Sequence, residues 1–229
     1  MSLVKTNLFA LGTLAVAAMV HAHGDVAPQP VDTDALPDIG EEWLTENPYR
    51  ELEGDLWTTA IDIGSSGYNQ NCARCHGLGA VSGGLAPDLR YLEAEEYGDE
   101  WFMERYQAGY TQNGITKMPA FGELLGQKAG WAIRLYVETR PDEGALDDYQ
   151  DRLKTIRDEL ASWAEAGSAS GDEAAMKDEL SSIAGKIETG SGATIADSVA
   201  FRAASLIDGT AESYKVAAET LTIGLSAAE

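Results

Sequence analysis

The chain has 229 residues, of which 16 are basic and 38 acidic, and its formal charge is −22. This charge excludes non-specific binding to nucleic acid, because a phosphate backbone repels it. Hydrophobic residues make up 44% of the chain, which is enough for a packed core and excludes wholesale disorder.

The first 22 residues have the pattern of a secretory signal peptide. One charge, Lys5, precedes the apolar run 8–20 and the small residue Ala22. The run is 13 residues long, short of the roughly 20 that a helix needs to cross a bilayer, so we expect no stable membrane insertion. We predict cleavage after Ala22 and a periplasmic location; an uncleaved anchor is the alternative. Cleavage would leave an N-terminal His23, which is either a copper ligand through its amine and imidazole or an accident of the cut.

Three further units follow the signal peptide. Residues 23–48 are predicted to form an extended arm, because they hold four of the seven prolines and each proline disfavours helix at the residue before it. Residues 49–143 contain both cysteines and form the second unit. Residues 144–229, here named the extension, contain no Pro, Cys or His. Residues 23–143 carry a net charge of −14 and the extension −9, so the acidity is spread over the whole mature chain.

Cys72 and Cys75, followed directly by His76, form the C-x-x-C-H signature of covalent haem attachment. Two thiols on one helical turn reach the two vinyl groups of one porphyrin, and the imidazole that follows lies under the ring and ligates the iron. A zinc half-site or a redox-active dithiol are the competing hypotheses. Zinc would need further Cys or His ligands, and a thioredoxin-like dithiol would need a βαβ context that the sequence does not indicate. We therefore predict one covalently bound haem c.

The iron needs a sixth ligand, and methionine is the remaining candidate because the mature chain offers no other suitable histidine. Met103 lies in a helical pattern and Met176 in the extension, so both are predicted to pack in cores. Met118 follows the polar loop TQNGITK and precedes Pro119, which keeps it out of a helix. We predict that Met118 is the axial ligand opposite His76.

The extension shows helical hydrophobic spacing. Apolar residues from Leu146 to Trp163 recur at alternating steps of three and four, and similar spacing covers 176–187, 195–206 and 214–225. Glycines separate these segments. The pattern predicts three or four amphipathic helices joined by short loops as antiparallel neighbours. We interpret the apolar seam as intrachain core; a coiled coil between chains is the alternative.

Residues 60–140 resemble a class I cytochrome c. The pattern Gly64-x-x-x-Tyr68-x-x-x-Cys72 is similar to that family's first helix, and the segment ending in Tyr136 is similar to its last helix. The resemblance implies that Gly64 lets the two helices cross closely beside a pair of aromatic rings. The fold is therefore expected to be all-α, a class I cytochrome c fold followed by an antiparallel helical extension.

The loop GGLAPDL, residues 83–89, resembles the loop that follows the haem motif in this family. The resemblance implies that the carbonyl of Pro87 accepts a hydrogen bond from Nδ1 of His76. Such a bond fixes the tautomer and raises the basicity of the imidazole. No single residue is predicted to donate to the haem propionates. The candidates are Arg50, Arg90, Arg105 and Trp101. A place on the solvated surface explains each of them equally well.

The segments HGDVAPQPVDT, WLTENPYR and KMPAF, together with the haem motif, resemble soluble cytochromes c that accept electrons from PQQ-dependent alcohol dehydrogenases. The resemblance covers residues 23–142 and implies such a dehydrogenase as donor and an oxidase or another cytochrome as acceptor. We expect an electron carrier rather than an enzyme. The alternatives are a haem enzyme or sensor with a displaceable sixth ligand, and a docking subunit that acts through the extension.

Overall fold

The computed structural model describes residues 28–193 and 197–226, so the predicted signal peptide and His23 lie outside the described residues. The all-α prediction is confirmed, apart from one small β-hairpin. The α-helices are α1 Gly54–Asn71, α2 Ala73–His76, α3 Glu96–Ala108, α4 Gly122–Glu138, α5 Gln150–Ala166, α6 Glu173–Ala184, α7 Val199–Leu206 and α8 Ala211–Ser226. Strands β1 Tyr110–Gln112 and β2 Ile115–Met118 form the hairpin. Within the described residues, no helix is both long and apolar enough to cross a membrane.

Helices α1 and α4 cross at Gly64, as the resemblance to class I cytochromes c implies. A Cβ atom at this position would lie 2.0 Å from the carbonyl oxygen of Ala132, so only glycine allows the two backbones to meet. Beside the crossing, the rings of Tyr68 and Tyr136 pack with their centroids 5.3 Å apart. This crossing forms the centre of the first hydrophobic core, which also receives Phe102 and Tyr106 from α3.

The segment predicted to be a polar loop before Met118 is in fact the antiparallel hairpin of β1 and β2. Its turn residues, Asn113 and Gly114, have φ angles of 53° and 75°. Asn-Gly is the pair best suited to a two-residue turn of this kind, because both residues tolerate positive φ. Met118 is the last residue of β2, and Pro119 then ends the strand.

The described part of the arm, residues 28–48, has little regular structure and is joined to α4 by hydrogen bonds. Lys128 Nζ donates to the carbonyl of Leu36 at 2.9 Å, and Gln127 Nε2 donates to that of Gly40 at 2.7 Å. Asn47 Nδ2 donates to the carbonyl of Trp131 at 3.2 Å. Two side chains on α4 therefore supply partners for arm carbonyls, and one arm side chain supplies a partner for a carbonyl of α4.

The extension folds into four helices, α5 to α8, around a second hydrophobic core. The apolar seam predicted from the sequence lies in this core, and Leu153, Ile156 and Leu160 are fully buried within the chain. Helix α5 packs mainly against α8, which is not its neighbour in sequence, while α7 lies against both α6 and α8. Sequence spacing identified the buried faces but not this pairing.

Two helix ends differ from the predicted spacing. Helix α5 begins only at Gln150, because a 3-10 turn at Asp147–Tyr149 precedes it, and α6 ends at Ala184 although Ile187 is still buried. Apolar residues in the flanking turns thus follow the helical spacing without being helical. Ile195, which the pattern also includes, lies outside the described residues.

The two cores meet at an interface that combines apolar packing with ion pairs. The ring of Phe201 on α7 meets that of Trp57 on α1 edge to face, with centroids 5.3 Å apart. Beside it, the carboxylate of Asp197 is 2% exposed and pairs with the guanidinium groups of Arg140 and Arg202. Burial alone would raise the pKa of Asp197, but the two arginines lower it below its ordinary value. The extension is therefore packed against the first core and ion-paired to it.

Candidate functional site

The C-x-x-C-H motif lies at a sharp break between two helices. Helix α1 ends at Asn71, and the backbone amides of Cys75 and His76 both donate to the carbonyl of Cys72 at 3.0 Å. This single turn places Cys72 at the N-cap of α2, and Cys75 and His76 in its last two positions. Both cysteines are free; Cys72 is half-buried and Cys75 exposed. Burial and, to a smaller extent, the neighbouring Cys75 together raise the pKa of the Cys72 thiol to about 12.

His76 and Pro87 are brought together as the family resemblance implies. Nδ1 of the nearly buried His76 ring lies 2.9 Å from the carbonyl oxygen of Pro87. A carbonyl can only accept, so Nδ1 carries the proton and Nε2 presents a lone pair. No described residue forms a hydrogen bond with Nε2. This nitrogen is therefore left available as a metal ligand.

The turn after His76 depends on Gly77 and Tyr68. Gly77 has φ 84°, and a Cβ atom there would lie 1.9 Å from the carbonyl oxygen of Val81. The hydroxyl of Tyr68 donates to the carbonyl of Gly77 at 2.8 Å. Tyr68, whose ring packs beside the helix crossing, thus also fixes the backbone of Gly77, the residue that follows the histidine. This second role of Tyr68 was not predicted, because no sequence pattern indicates a side chain to backbone bond of this kind.

The loop that carries Pro87 is held by Asp88, a residue that no sequence pattern marks as functional. Its carboxylate accepts from the backbone amides of Ser82 and Arg90 and from the Arg90 guanidinium. An Asp side chain often accepts a hydrogen bond from the backbone amide two residues later, which forms an Asx turn. Asp88 and the amide of Arg90 form such a turn. The pattern occurs so often on surfaces that it does not by itself indicate a functional site.

The three methionines among the described residues lie in different surroundings. Met103 packs between α3 and α4, and Met176 is buried in the core of the extension. Met118 is half-buried at the end of β2, where it packs against the same hydrophobic cluster as Cys72. Gly109, with φ 69°, lets the backbone of residues 118–120 approach closely, since a Cβ there would lie 2.5 Å from the Met118 carbonyl oxygen.

The candidate propionate donors are mostly engaged with protein groups. Arg50 forms ion pairs of 2.6 and 2.7 Å with Asp99 and Glu138. Arg90 pairs with Asp88, and Arg105 lies over the rings of Trp101 and Tyr110. None of these contacts assigns a propionate partner.

The donor set fits a covalently held haem better than the alternative metal sites. It offers two thiols one turn apart, an imidazole whose tautomer is fixed with Nε2 free, and a thioether on the same apolar cluster. Soft thioether sulfur and imidazole nitrogen are the axial ligands of c-type haem iron. Among the described residues, no group of three His, Cys, Asp or Glu side chains comes together as a metal site, so a zinc site has no further ligands.

Comparison with known proteins places the first core among cytochromes. The family model described as cytochrome C oxidase, cbb3-type, subunit III matches residues 59–137. Cytochrome c550 of Pseudomonas aeruginosa is 49% identical over 138 residues, which cover 59% of this chain and 93% of that protein. No solved structure matches the chain.

Two Pseudomonas putida enzymes are similar over a shorter segment. Quinohemoprotein alcohol dehydrogenase ADH IIB is 34% identical over 96 residues, or 41% of this chain, and ADH-IIG is 38% identical over 83 residues, or 36%. The matched segments are only 12% and 11% of the dehydrogenases, so the likeness concerns one small part of each enzyme. Together with the cytochrome c550 match over nearly its full length, the helix crossing and the C-x-x-C-H turn, these similarities show that the chain belongs to the class I cytochrome c family.

Proposed function

We propose that this cytochrome carries single electrons in the periplasm, from a PQQ-dependent alcohol dehydrogenase towards a terminal oxidase or another cytochrome. The observation that carries the proposal is the 2.9 Å contact between His76 Nδ1 and the Pro87 carbonyl, which leaves Nε2 available in a motif that also holds two free thiols. A group that only exchanges electrons needs both axial positions filled and its ligands held still. The chain supplies candidates for each of these requirements.

Each site residue has a distinct role in the proposal. Cys72 and Cys75 form the thioether links, His76 ligates the iron through Nε2, and Met118 ligates it from the opposite side. Pro87 holds the imidazole tautomer and raises its basicity. When bound, the haem supplies the one-electron redox chemistry, and a thioether ligand raises its reduction potential.

The dehydrogenase is proposed as donor because of where similar segments occur. Two proteins named quinohemoprotein alcohol dehydrogenase contain a segment similar to this chain. In those enzymes the matched segment is one part of a longer chain, whereas here it forms most of the first core. We infer that this cytochrome accepts electrons from such a dehydrogenase as a separate protein and not as a segment of the same chain.

The test is reduction of the oxidised holoprotein by a purified PQQ-dependent alcohol dehydrogenase with its alcohol. We expect the α band to rise on mixing in stopped flow, and to remain absent when the alcohol is omitted. The Met118→Ala holoprotein is the matched comparison, since it alters the iron site without altering the acidic surface. A dehydrogenase that turns over with artificial acceptors but leaves this cytochrome oxidised would refute the proposed donor.

The periplasmic location has its own test. Fractionation of cells that express the full chain should give a haem-stained band in the periplasm, with its N-terminus at His23. A haem-containing protein that remains with the membranes would instead support the uncleaved anchor.

A further inference from the structure

The carboxylate of Asp88 forms the centre of a hydrogen-bonded brace behind Pro87. Its Oδ2 accepts from the backbone amide of Ser82 at 3.2 Å and from Arg90 Nη2 at 2.9 Å. Its Oδ1 accepts from the backbone amide and from Nε of Arg90, both at 3.1 Å. Four donors therefore surround one carboxylate, and two of them belong to the backbone on either side of Pro87.

The brace closes the loop immediately before Pro87. The hydroxyl of Ser82 donates to the carbonyl of Ala86 and accepts from the amide of Gly84. The chain from 82 to 90 is thus fixed at both ends and in the middle. Pro87 stands between Ala86 and Asp88, and both of these neighbours are held by hydrogen bonds.

Arg90 fixes the brace to the rest of the molecule. It is 7% exposed, and its Nη1 donates to the carbonyl of Pro141 at 3.2 Å, just beyond α4. Pro141 in turn pairs with Thr189 of the extension in an isolated β-bridge. A Cβ atom on Gly190 would lie 3.0 Å from the carbonyl oxygen of Arg90, so the extension packs directly against the brace. The guanidinium consequently has little freedom to move.

We propose that Asp88, held by Arg90, is a positioning residue for His76 because it fixes the Pro87 carbonyl that accepts the Nδ1 proton. This inference rests on the proposed ligation of the iron by His76. A short bond to Nδ1 makes the imidazole a stronger donor and stabilises the oxidised iron. Loosening the brace weakens that bond, so it raises the reduction potential without removing either axial ligand.

Two variants separate the effect of a changed charge on the reduction potential from the effect of a displaced Pro87 carbonyl. Asp88→Asn removes a negative charge, which by itself raises the potential, whereas Arg90→Gln removes a positive charge, which by itself lowers it. Both variants break the brace. The direct readout is therefore the Nδ1 proton of His76 in the reduced holoprotein, observed by NMR through its chemical shift and its exchange with solvent.

We expect exchange of this proton to be about tenfold faster in both variants, which corresponds to the loss of one ordinary hydrogen bond. Arg90→Lys keeps the charge but loses the two-pronged contact, and it should give a smaller change in the same direction. Asp208→Asn is the matched control, because Asp208 forms a similar turn to the amide of Thr210 in the extension. This variant removes the same charge and should leave the Nδ1 proton unchanged.

Two results would overturn the inference. One is an unchanged Nδ1 proton in Asp88→Asn and Arg90→Gln, with potentials that move in opposite senses, since charge alone explains that pattern. The other is a change of equal size in Asp208→Asn. If the wild-type holoprotein showed no histidine ligation at all, the proposed function would fail instead, so the two failures are distinguishable. Arg90→Lys keeps the test informative if a harsher variant does not fold.

Discussion

The backbone of Ala132 occupies the space where a side chain at Gly64 would stand: a Cβ atom there would lie 2.0 Å from its carbonyl oxygen. The crossing of α1 and α4 is therefore made by backbone against backbone. Because α1 leads directly into the C-x-x-C-H turn, the position of the haem motif depends on this contact.

We expect Gly64→Ala to destabilise the holoprotein by about 3 kcal/mol or more, since the added methyl meets fixed backbone and not a side chain that can rotate away. Gly185→Ala is the control, because a Cβ there meets only ordinary contacts at 3.5 Å and its φ of −70° suits any residue. Denaturant unfolding of both variants measures the difference. Equal stability of the two variants would contradict the close crossing.

Replacement of His76 by Ala should abolish stable haem incorporation and leave a poorly folded first core. The reason is that in a unit of about 100 residues the haem supplies much of the buried apolar surface. Haem staining and circular dichroism of the purified chain measure both effects. A fully folded, haem-free His76→Ala protein would show that the haem is dispensable for the fold.

Met118→Ala should keep the haem attached but lose the axial thioether. We expect a high-spin oxidised spectrum, loss of the methionine–iron charge-transfer band, a lower reduction potential and ready binding of imidazole. Met103→Leu is the control, since it conserves the volume of a methionine packed in the core. An unchanged spectrum in Met118→Ala, or the same change in Met103→Leu, would assign the sixth ligand elsewhere.

Asp197→Asn should cost about 3 kcal/mol at neutral pH, because it leaves two arginines beside a buried neutral group. The folded protein lowers the pKa of Asp197, so its ion pairs stabilise the fold above the ordinary aspartate pKa of about 4 and lose that effect as the pH falls through the lowered value. The gap between wild type and variant should therefore narrow below about pH 4.

Urea unfolding of wild type, Asp197→Asn and Glu219→Gln at neutral and acid pH measures this gap. Glu219 is an exposed carboxylate on α8 and controls for the change in net charge. A gap that stays constant with pH would mean that folding does not shift the pKa of Asp197, so that its ion pairs add no stability that depends on its ionisation.

Reduction by the dehydrogenase should slow steeply as salt is added. A net charge of −22 attracts a basic surface near the partner's electron exit, and such steering raises encounter rates by about 10–1,000-fold at low ionic strength. Salt screens it over a Debye length of about 8–10 Å. A stopped-flow salt series with circular dichroism measures this, and a flat or rising rate would mean that the acidity serves solubility in a salty habitat.

Sequence reasoning could predict the features that depend on local spacing. Two cysteines three apart and an apolar seam each have a local sequence signature, so the C-x-x-C-H motif and the buried faces of α5 to α8 were identified from spacing. The crossing at Gly64 was expected from the resemblance to class I cytochromes c. The axial role of Met118 stays a prediction. The hairpin was missed, although Asn113 and Gly114 carried its signal, because the strands on either side are only three and four residues long.

Other features depend on contacts between distant segments and have no local signature. The pairing of α5 with α8, the position of Asp197 between Arg140 and Arg202, and the brace at Asp88 are of this kind. Asp88 and Arg90 are close in sequence, but the carbonyl that fixes Arg90 comes from Pro141, 51 residues away. Spacing rules describe one element at a time and give no account of which surfaces meet.

The ion-paired interface at Asp197 affects how the molecule orients itself towards a partner in solution. An extension joined by a flexible tether would average its charge over many positions, whereas a packed one keeps each carboxylate at a fixed place relative to Cys75 and His76. The distribution of charge is then fixed relative to the motif, in the frame of the molecule. A partner's field acts on such a fixed distribution as a torque as well as a force, so the orientation of the two proteins is biased before their surfaces touch.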